Sequence, residues 1–461
     1  MHESPPSPFV NREAFDQEGI LSGLLMHKYV RLYRYADGGP PPEVLPDAQT
    51  TLRPVYPGWA VLEPEIPNVK ERGVVFQKGV GSFTLGGIFG NAVDVGAADV
   101  DSGAYSTLSP VEAERRRRSD VLAAQVADQG VDADVFVTRR EYLAKAGWKV
   151  TRDATVCNPE EALTLISLYL RRQDEFILAK MGDDELRMNR GLFVWVGTRE
   201  LLSEGWRWFT ACVQHSGANA GSRLALLGQS LFQRFGRALE ARDRVHFARN
   251  QLQDNDLMDE ALSSLDQVFF LLMSCVDITA RVAHFALRLS GSERNAGWQN
   301  PNWVDQFRNS QPSLAMTVAP GTTNHDALTI LRLLRNSVHG SALQGMAVLR
   351  FGKPMQNYVG LPSEDETRLL RAMDNVGGRS HWSVEQVSPG NSHFDPAVLV
   401  DVLFDHVVRL INELMNATPV EQLDSVILLA SDLRPPVSNP NSTWEPFDEW
   451  TRLSIRWQLG F

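Results

Sequence analysis

Cysteine is scarce in this chain: Cys157, Cys212 and Cys275 are the only three among 461 residues, and no two have Cys-x-x-Cys spacing. A zinc site built from cysteines is thereby excluded, and the pattern fits a reducing compartment with thiols in the core. Positive charge is also short, with 45 Lys and Arg against 56 Asp and Glu, a net charge of −11 and a pI near 5.5. Such a protein does not coat nucleic acid non-specifically, so any contact with RNA has to be local. Long uninterrupted apolar runs are missing too. The longest, residues 268–289, is broken by Asp277, Arg281 and His284, which predicts a buried helix of a soluble protein and no membrane span. The first residues, Met-His-Glu-Ser-Pro-Pro-Ser-Pro, have neither a basic nor an apolar leader region, so the expectation is a cytoplasmic protein. The glycine-rich stretches at Gly79 and Gly86 are not followed by Lys-Ser or Lys-Thr and do not make a phosphate loop.

What remains is an ordinary globular composition, 43% apolar and 22% charged, in a chain long enough for two or three domains. Residues 1–110 are rich in Pro and Gly. They hold a short helix near residues 20–33 and strand-like pieces at 59–62, 73–77 and 82–85. A helix over residues 109–127 follows, opened by Ser109-Pro110 and carrying four consecutive arginines at 115–118, which read as a solvated face. Next come a short strand ending at Thr138, a helix, a second strand at Thr155-Val-Cys157, and a helix with Asn158 as cap and Pro159 in its first turn. From about residue 176 long helices dominate. They are predicted at 200–215, 223–251, 256–289 (one helix or two) and 397–416, with a hairpin near 347–359, a capping box at Ser363, a further strand at 381–384 and an apolar C-terminal segment.

One helix carries the chemistry. Residues 324–340 place Ala327, Ile330, Leu331, Leu334 and Val338 on one apolar arc, and Arg332, Arg335, Asn336 and His339 on another. Asn324 or Asp326 is its expected cap, and Gly340 its expected stop. Arg335 and His339 lie a turn apart, as do Arg332 and Asn336, so the four heads can converge on one anion. Asp277 and Arg281, on the long preceding helix, read as a local ion pair.

The segment Leu334-Arg335-Asn336-Ser-Val-His339-Gly resembles the signature of the HEPN family of helical proteins, in which an Arg, often followed by Asn, precedes a His late in a helix. That family's usual interval is roughly four to six residues; Arg335 leaves three before His339 and Arg332 leaves six, so both arginines stand as candidates. The resemblance implies metal-independent RNA cleavage by a homodimer, often in toxin or phage-defence settings. It implies His339 as proton carrier, with Arg332, Arg335 and Asn336 on the phosphate. More weakly, the helix-strand-helix-strand-helix order over residues 90–175 resembles the last third of PIN-like domains. Asp120 would match one of that family's metal-binding acids, but Arg139 and Arg140 stand where another acid belongs, and the first-strand acid has only Asp94, Asp99 and Asp101 as candidates.

The expected architecture is α+β. A degenerate PIN-like α/β domain covers residues 1–175, and a HEPN-like helical bundle with a small β-hairpin insertion covers 176–461. The expected function is a metal-independent endoribonuclease with RNA as partner, a homodimeric state, no cofactor, no metal and no membrane. The alternative is a non-catalytic nucleotide- or anion-sensing helical scaffold.

Overall fold

The computed structural model of the chain describes residues 17–30, 74–78 and 81–85, scattered positions from 105 to 151, and 154–461 apart from 182–183, 251–254, 339–341, 349–355, 362–364, 389–390 and 434–447. The strand expected at 59–62, the capping Ser363, Asp94, Asp99, Asp101, Asp120 and Arg139 lie outside these residues. The described chain is mostly helical with small sheets, and it divides into two compact units. The first comprises residues 1–188, 350–354 and 457–461; the second comprises 189–349 and 355–456.

In the first unit, α1 (Gln17–Leu25) packs its buried Ile20, Leu21 and Leu24 with Leu163, Ile166 and Leu170 of α3 (Pro159–Arg172). The hairpin β1 (Val74–Lys78) and β2 (Gly81–Leu85) is antiparallel, with Val74 opposite Leu85. Described positions in the segment expected to be a helix, among them Val111, Ala113, Val121 and Ala124, are helical. Strands β3 (Val135–Val137) and β4 (Thr155–Cys157) pair in parallel, with α2 (Glu141–Ala146) between them. Parallel neighbours need such a crossover connection. Asp128 is buried, and its Oδ1 accepts from the Ala154 backbone N–H at 2.7 Å, which fixes the approach to β4. At the head of α3, the Asn158 side chain accepts from Glu161 N–H at 2.8 Å and Glu161 accepts from Asn158 N–H at 2.9 Å, a reciprocal cap on two otherwise orphaned donors. The antiparallel pair β5 (Ile177–Met181) and β6 (Asp184–Arg187) closes this unit.

The second unit is a helical bundle: α4 (Arg190–Leu201), α5 (Gly205–Ala218), α6 (Leu224–Arg249), α7 (Asn255–Ala286), the short α8 (Pro301–Val304) and α9 (Pro312–Thr317), α10 (Thr323–Ser337), α11 (Glu366–Asn375), α12 (Pro396–Ala417) and α13 (Glu449–Leu459), the last residues of α13 belonging to the first unit. The spacing at 200–215 suggests one helix, but the chain breaks there. Leu202 leaves helical geometry to bury its side chain completely, and α5 restarts at Gly205, where a Cβ would stand 2.8 Å from the Phe232 ring of α6. Helix α7 is one continuous element that packs against α6, α10 and α12. Val268, Phe269 and Leu272 are wholly buried, whereas Phe270 is 50% exposed, so α7 has an outer edge that its all-round apolar sequence conceals. By length and composition α7 could cross a membrane, but 61% of its most apolar window is buried inside the bundle, as in a core helix. Phe235 of α6 meets Phe404 of α12 edge to face at 5.9 Å.

Where a hairpin and one added strand are expected, four antiparallel strands form: β7 (Gln344–Val348), β8 (Gln356–Gly360), β9 (Val384–Ser388) and β10 (Asn391–Phe394), in the order β7-β8-β10-β9. The short, partly polar β10 has little alternation to announce it, and pairing on both sides makes it a strand. Helix α11 is capped at Asp365 with no side-chain hydrogen bond, whereas Asp395 caps α12 by accepting from Ala397 N–H at 2.9 Å. All three cysteines are free and buried; burial pushes the Cys157 thiol up to about 12 and those of Cys212 and Cys275 higher still, so they are inert core groups.

Close approach of α6 to α4 depends on Gly236, where a Cβ would lie 2.9 Å from Val194 Cγ1 and 3.3 Å from Thr198 Oγ1. Gly236→Ala is expected to lower stability by about 1–3 kcal/mol. Gly217→Ala, in α5 with nothing within 4 Å of the added Cβ, leaves stability unchanged or raises it by up to about 1 kcal/mol. Urea unfolding midpoints of the two variants distinguish these outcomes, and equal destabilisation would contradict the packing described.

Candidate functional site

Helix α10 begins earlier and ends earlier than its sequence suggests. Thr322 is the cap, its Oγ1 accepting from His325 N–H at 3.1 Å. Gly321 before it has a φ of 87°, which supplies the turn that makes Thr322 available. Asn324 is instead buried and uses its amide on Glu413, while Asp326 accepts from Asn375 Nδ2 at 3.0 Å. Helical geometry stops at Ser337, and Val338 forms the C-cap in place of Gly340. Ala327, Ile330, Leu331 and Leu334 are buried as the apolar arc requires, while Val338 is 37% exposed beyond the last turn.

Of the expected site residues, Arg332 and Arg335 are half-buried and Asn336 is exposed; His339 lies outside the described residues. Arg332 Nε is buried and has no hydrogen-bond acceptor among the described residues. Arg281 of α7 is in the same condition. The expected contact ion pair between Asp277 and Arg281 does not form. Instead the Asp277 carboxyl is shared in the fields of three arginines, Arg281, Arg335 and Arg234, contributed by α7, α10 and α6. Burial raises the Asp277 carboxyl above the usual range, and the three guanidiniums oppose that rise without overcoming it. Arg234 itself donates to Ser274 Oγ of α7.

The result is a junction of three helices where three guanidinium groups act on one carboxyl and the Arg281 Nε–H has no acceptor among the described residues. An unmade hydrogen bond of this sort costs about 1–3 kcal/mol. An oxyanion entering here would meet unused donors, and charge-assisted bonds to guanidinium are the stronger class. Arg332 and Arg335 were legible from helical spacing; Asp277 and Arg281 were noticed for the wrong partnership; Arg234 was missed, because nothing in the local pattern of α6 marks it.

A second charged cluster in the same unit is satisfied internally. Asp401 Oδ1 accepts from Arg242 Nε at 2.7 Å and lies 2.7 Å from His246 Nε2, and Arg249 pairs with Asp395 at 2.9 Å. Burial would raise the Asp401 carboxyl, but Arg242 and His246 together outweigh it and hold the group at about 2. Beside it His406 stacks on Trp382 at 5.5 Å; burial first, then Arg409 and His381, push its imidazole down to about 4.

In the first unit, β3 and β4 pair in parallel as the strand readings require, but the acids that a PIN-like metal site would use lie outside the described residues. Arg140 places its guanidinium 5.4 Å from the Tyr105 ring centre. Among the described residues no group of three or more His, Cys, Asp or Glu is arranged to hold a metal ion. Comparison of the chain with protein-family models, curated proteins and solved structures gives no match.

Two measurements check this electrostatic picture. Asp277→Asn removes the carboxylate on which the three arginines act and is expected to tighten binding of inorganic phosphate several-fold at low salt, whereas Arg335→Ala weakens it about fivefold or more; calorimetric titration reads both, and equal affinities would separate these residues from any anion site. His406 has its folded value below its unfolded one, so its neutral form contributes stability that is full above pH ~6.5 and is lost as pH falls toward 4. His406→Phe should therefore cancel about 1–2 kcal/mol of the stability difference between pH 7 and pH 5, measured by urea unfolding at the two pH values.

Proposed function

We propose that this chain is a metal-independent endoribonuclease of the HEPN kind, with the scissile phosphodiester lodged against the arginines of α10 and α7. The observation that supports the reading is the gathering of Arg281, Arg335 and Arg234 on the desolvated Asp277, with buried Nε–H groups on Arg281 and on Arg332 of α10 that have no acceptor among the described residues. In the cleavage proposed, the ribose 2′-oxygen loses its proton and bonds to the adjacent phosphorus, and the bond from phosphorus to the 5′-oxygen breaks as that oxygen gains a proton. Arg332 and Arg335 offer planar donor forks to the non-bridging oxygens, whose charge grows in the transition state. Asn336 is exposed on the same arc and can orient the phosphate. His339, which follows Arg335 by one turn's worth of sequence, is the proton carrier, with a reference pKa of about 6.5 suited to neutral pH.

The resemblance that gives His339 this role also implies a homodimer, with two copies of the helix facing a shared cleft, in a toxin or phage-defence setting in the cytoplasm. The PIN-like reading of the first domain, without nuclease chemistry of its own, is part of the same proposal. A second reading shares the observation: the unpaired guanidiniums would serve equally to hold a nucleotide or other anion in a sensing scaffold that does no chemistry.

The deciding experiment is cleavage of single-stranded RNA by the purified full chain in EDTA. Cutting that leaves 2′,3′-cyclic phosphate ends and falls about 10²–10⁴-fold in His339→Ala supports the enzyme. No cutting, with nucleotide binding that Arg332→Ala abolishes, selects the sensor. Metal-dependent cutting lost in Asp120→Ala would overturn both and assign the chemistry to the first domain.

A further inference from the structure

Arg171, Arg199 and Arg242 are the buried arginines among the described residues. Two of them are bonded to acceptors: Arg171 donates to Ser167 Oγ at 2.8 Å and to the Gln458 carbonyl at 3.0 Å, and Arg242 donates to Asp401 at 2.7 Å. Arg199, in the last turn of α4 and 5% exposed, is different. It has no acceptor among the described residues, and its Nε is wholly enclosed without one.

What surrounds Arg199 is aromatic. Its guanidinium carbon lies 3.8 Å from the ring centre of Phe232, 4.7 Å from that of Phe209, 5.3 Å from Trp206 and 5.9 Å from Trp195. Phe209 of α5 and Phe232 of α6 meet edge to face at 5.4 Å, which fixes that wall. Ring faces and the carbonyl end of α4 both favour a cation, yet neither accepts a hydrogen bond from it here. Nor does a carboxylate among the described residues balance the charge. Glu200, the next residue, is held by Arg452 at 2.8 Å and Arg456 at 4.0 Å, and Glu204 lies 3.8 Å from Arg207. Burial alone acts on the Arg199 guanidinium and lowers it to about 10, so it is charged at neutral pH.

The open edge of this group defines the ligand. Nη1 and Nη2 also lack a partner among the described residues, and neither is a fully enclosed atom, so the part of Arg199 that reaches solvent is the two-nitrogen end of its fork. Parallel N–H bonds from that end match the two oxygens of one carboxylate. Phosphate fits less well, because a dianion would bring two charges to one cation. Arg207, the neighbouring arginine on α5, is committed to Glu421 and to the carbonyls of Met415, Asn416 and Thr418. Trp195 stands one turn before Arg199 on α4 and is 44% exposed, so an apolar group attached to the carboxylate has an indole to rest on.

We propose that Arg199 and the rings around it form a binding site for a small monocarboxylate with an aromatic or aliphatic body, the carboxylate held by Nη1 and Nη2 and the body lying on Trp195. So little of the guanidinium is open that one headgroup fills it, which suits a small molecule better than a broad macromolecular surface. The site is built on α4, α5 and α6 and stands whether or not the arginines of α10 cleave RNA.

Phenylacetate and hexanoate, titrated calorimetrically into the full chain, test it. Expected is saturable binding of at least one of them, with the corresponding neutral amide bound about tenfold or more weakly. Arg199→Met keeps an unbranched apolar chain among the rings and lowers affinity about tenfold or more, and Trp195→Ala lowers it about threefold or more. Circular dichroism checks the fold of both variants, and Arg335→Ala leaves carboxylate binding unchanged. Binding of neither acid at millimolar concentration overturns the proposal, and so does binding that Arg199→Met leaves intact. If Arg199→Met does not fold, the comparison of acid with amide in the unaltered chain decides, and equal affinities overturn the proposal.

Discussion

Holding three half-buried guanidinium groups around one desolvated carboxyl is the constraint from which the electrostatics of the helical unit follow. Arg234, Arg281 and Arg335 approach a single desolvated carboxyl, that of Asp277, at the junction of α6, α7 and α10. Left alone, mutual repulsion and lost hydration would push these side chains out to water. They stay because the backbones behind them are fixed by packing that has nothing to do with charge: Phe235 against Phe404, the buried Leu265, Val268 and Leu272 of α7, and the apolar arc of α10. Hydrophobic burial of this kind is the dominant favourable term in folding, and it can carry local electrostatic strain.

Contrast with the Asp401 cluster makes the point sharper. There too arginine, histidine and aspartate crowd between helices, but Arg242 and His246 both reach the carboxylate at 2.7 Å, and its acidity is strengthened accordingly. The direction of the carboxyl shift separates the two clusters: down where the partners are in contact, up where burial wins over partners that act from further away.

How much of this could be read from the sequence depended on how local the cause was. Helix α10 revealed its two faces by periodicity, and Arg332, Arg335 and Asn336 fell where spacing put them. Its cap did not, since Asn324 is a good capping residue that the fold spends on Glu413, and Thr322 after a left-handed Gly321 does the capping instead. Asn158-Pro159 and Asp395-Pro396 were legible because both signals sit within four residues of the helix start. The long-range facts were closed to this reading. Nothing near Arg234 in the chain points toward Asp277, and β10 became a strand only through two neighbours distant in sequence.

Helix α7 joins these observations in one physical step. Its length lets a single rigid element carry Asp277 and Arg281 at one level and His284 at another, spaced by whole turns so that they share a face. A shorter helix with a loop between the two levels would let their separation vary. The almost wholly apolar run from Val268 to Met273, half-exposed only at Phe270, is what anchors that rigid ruler in the core. Thus the residues that look least functional in the chain determine the distance between the ones that look most so.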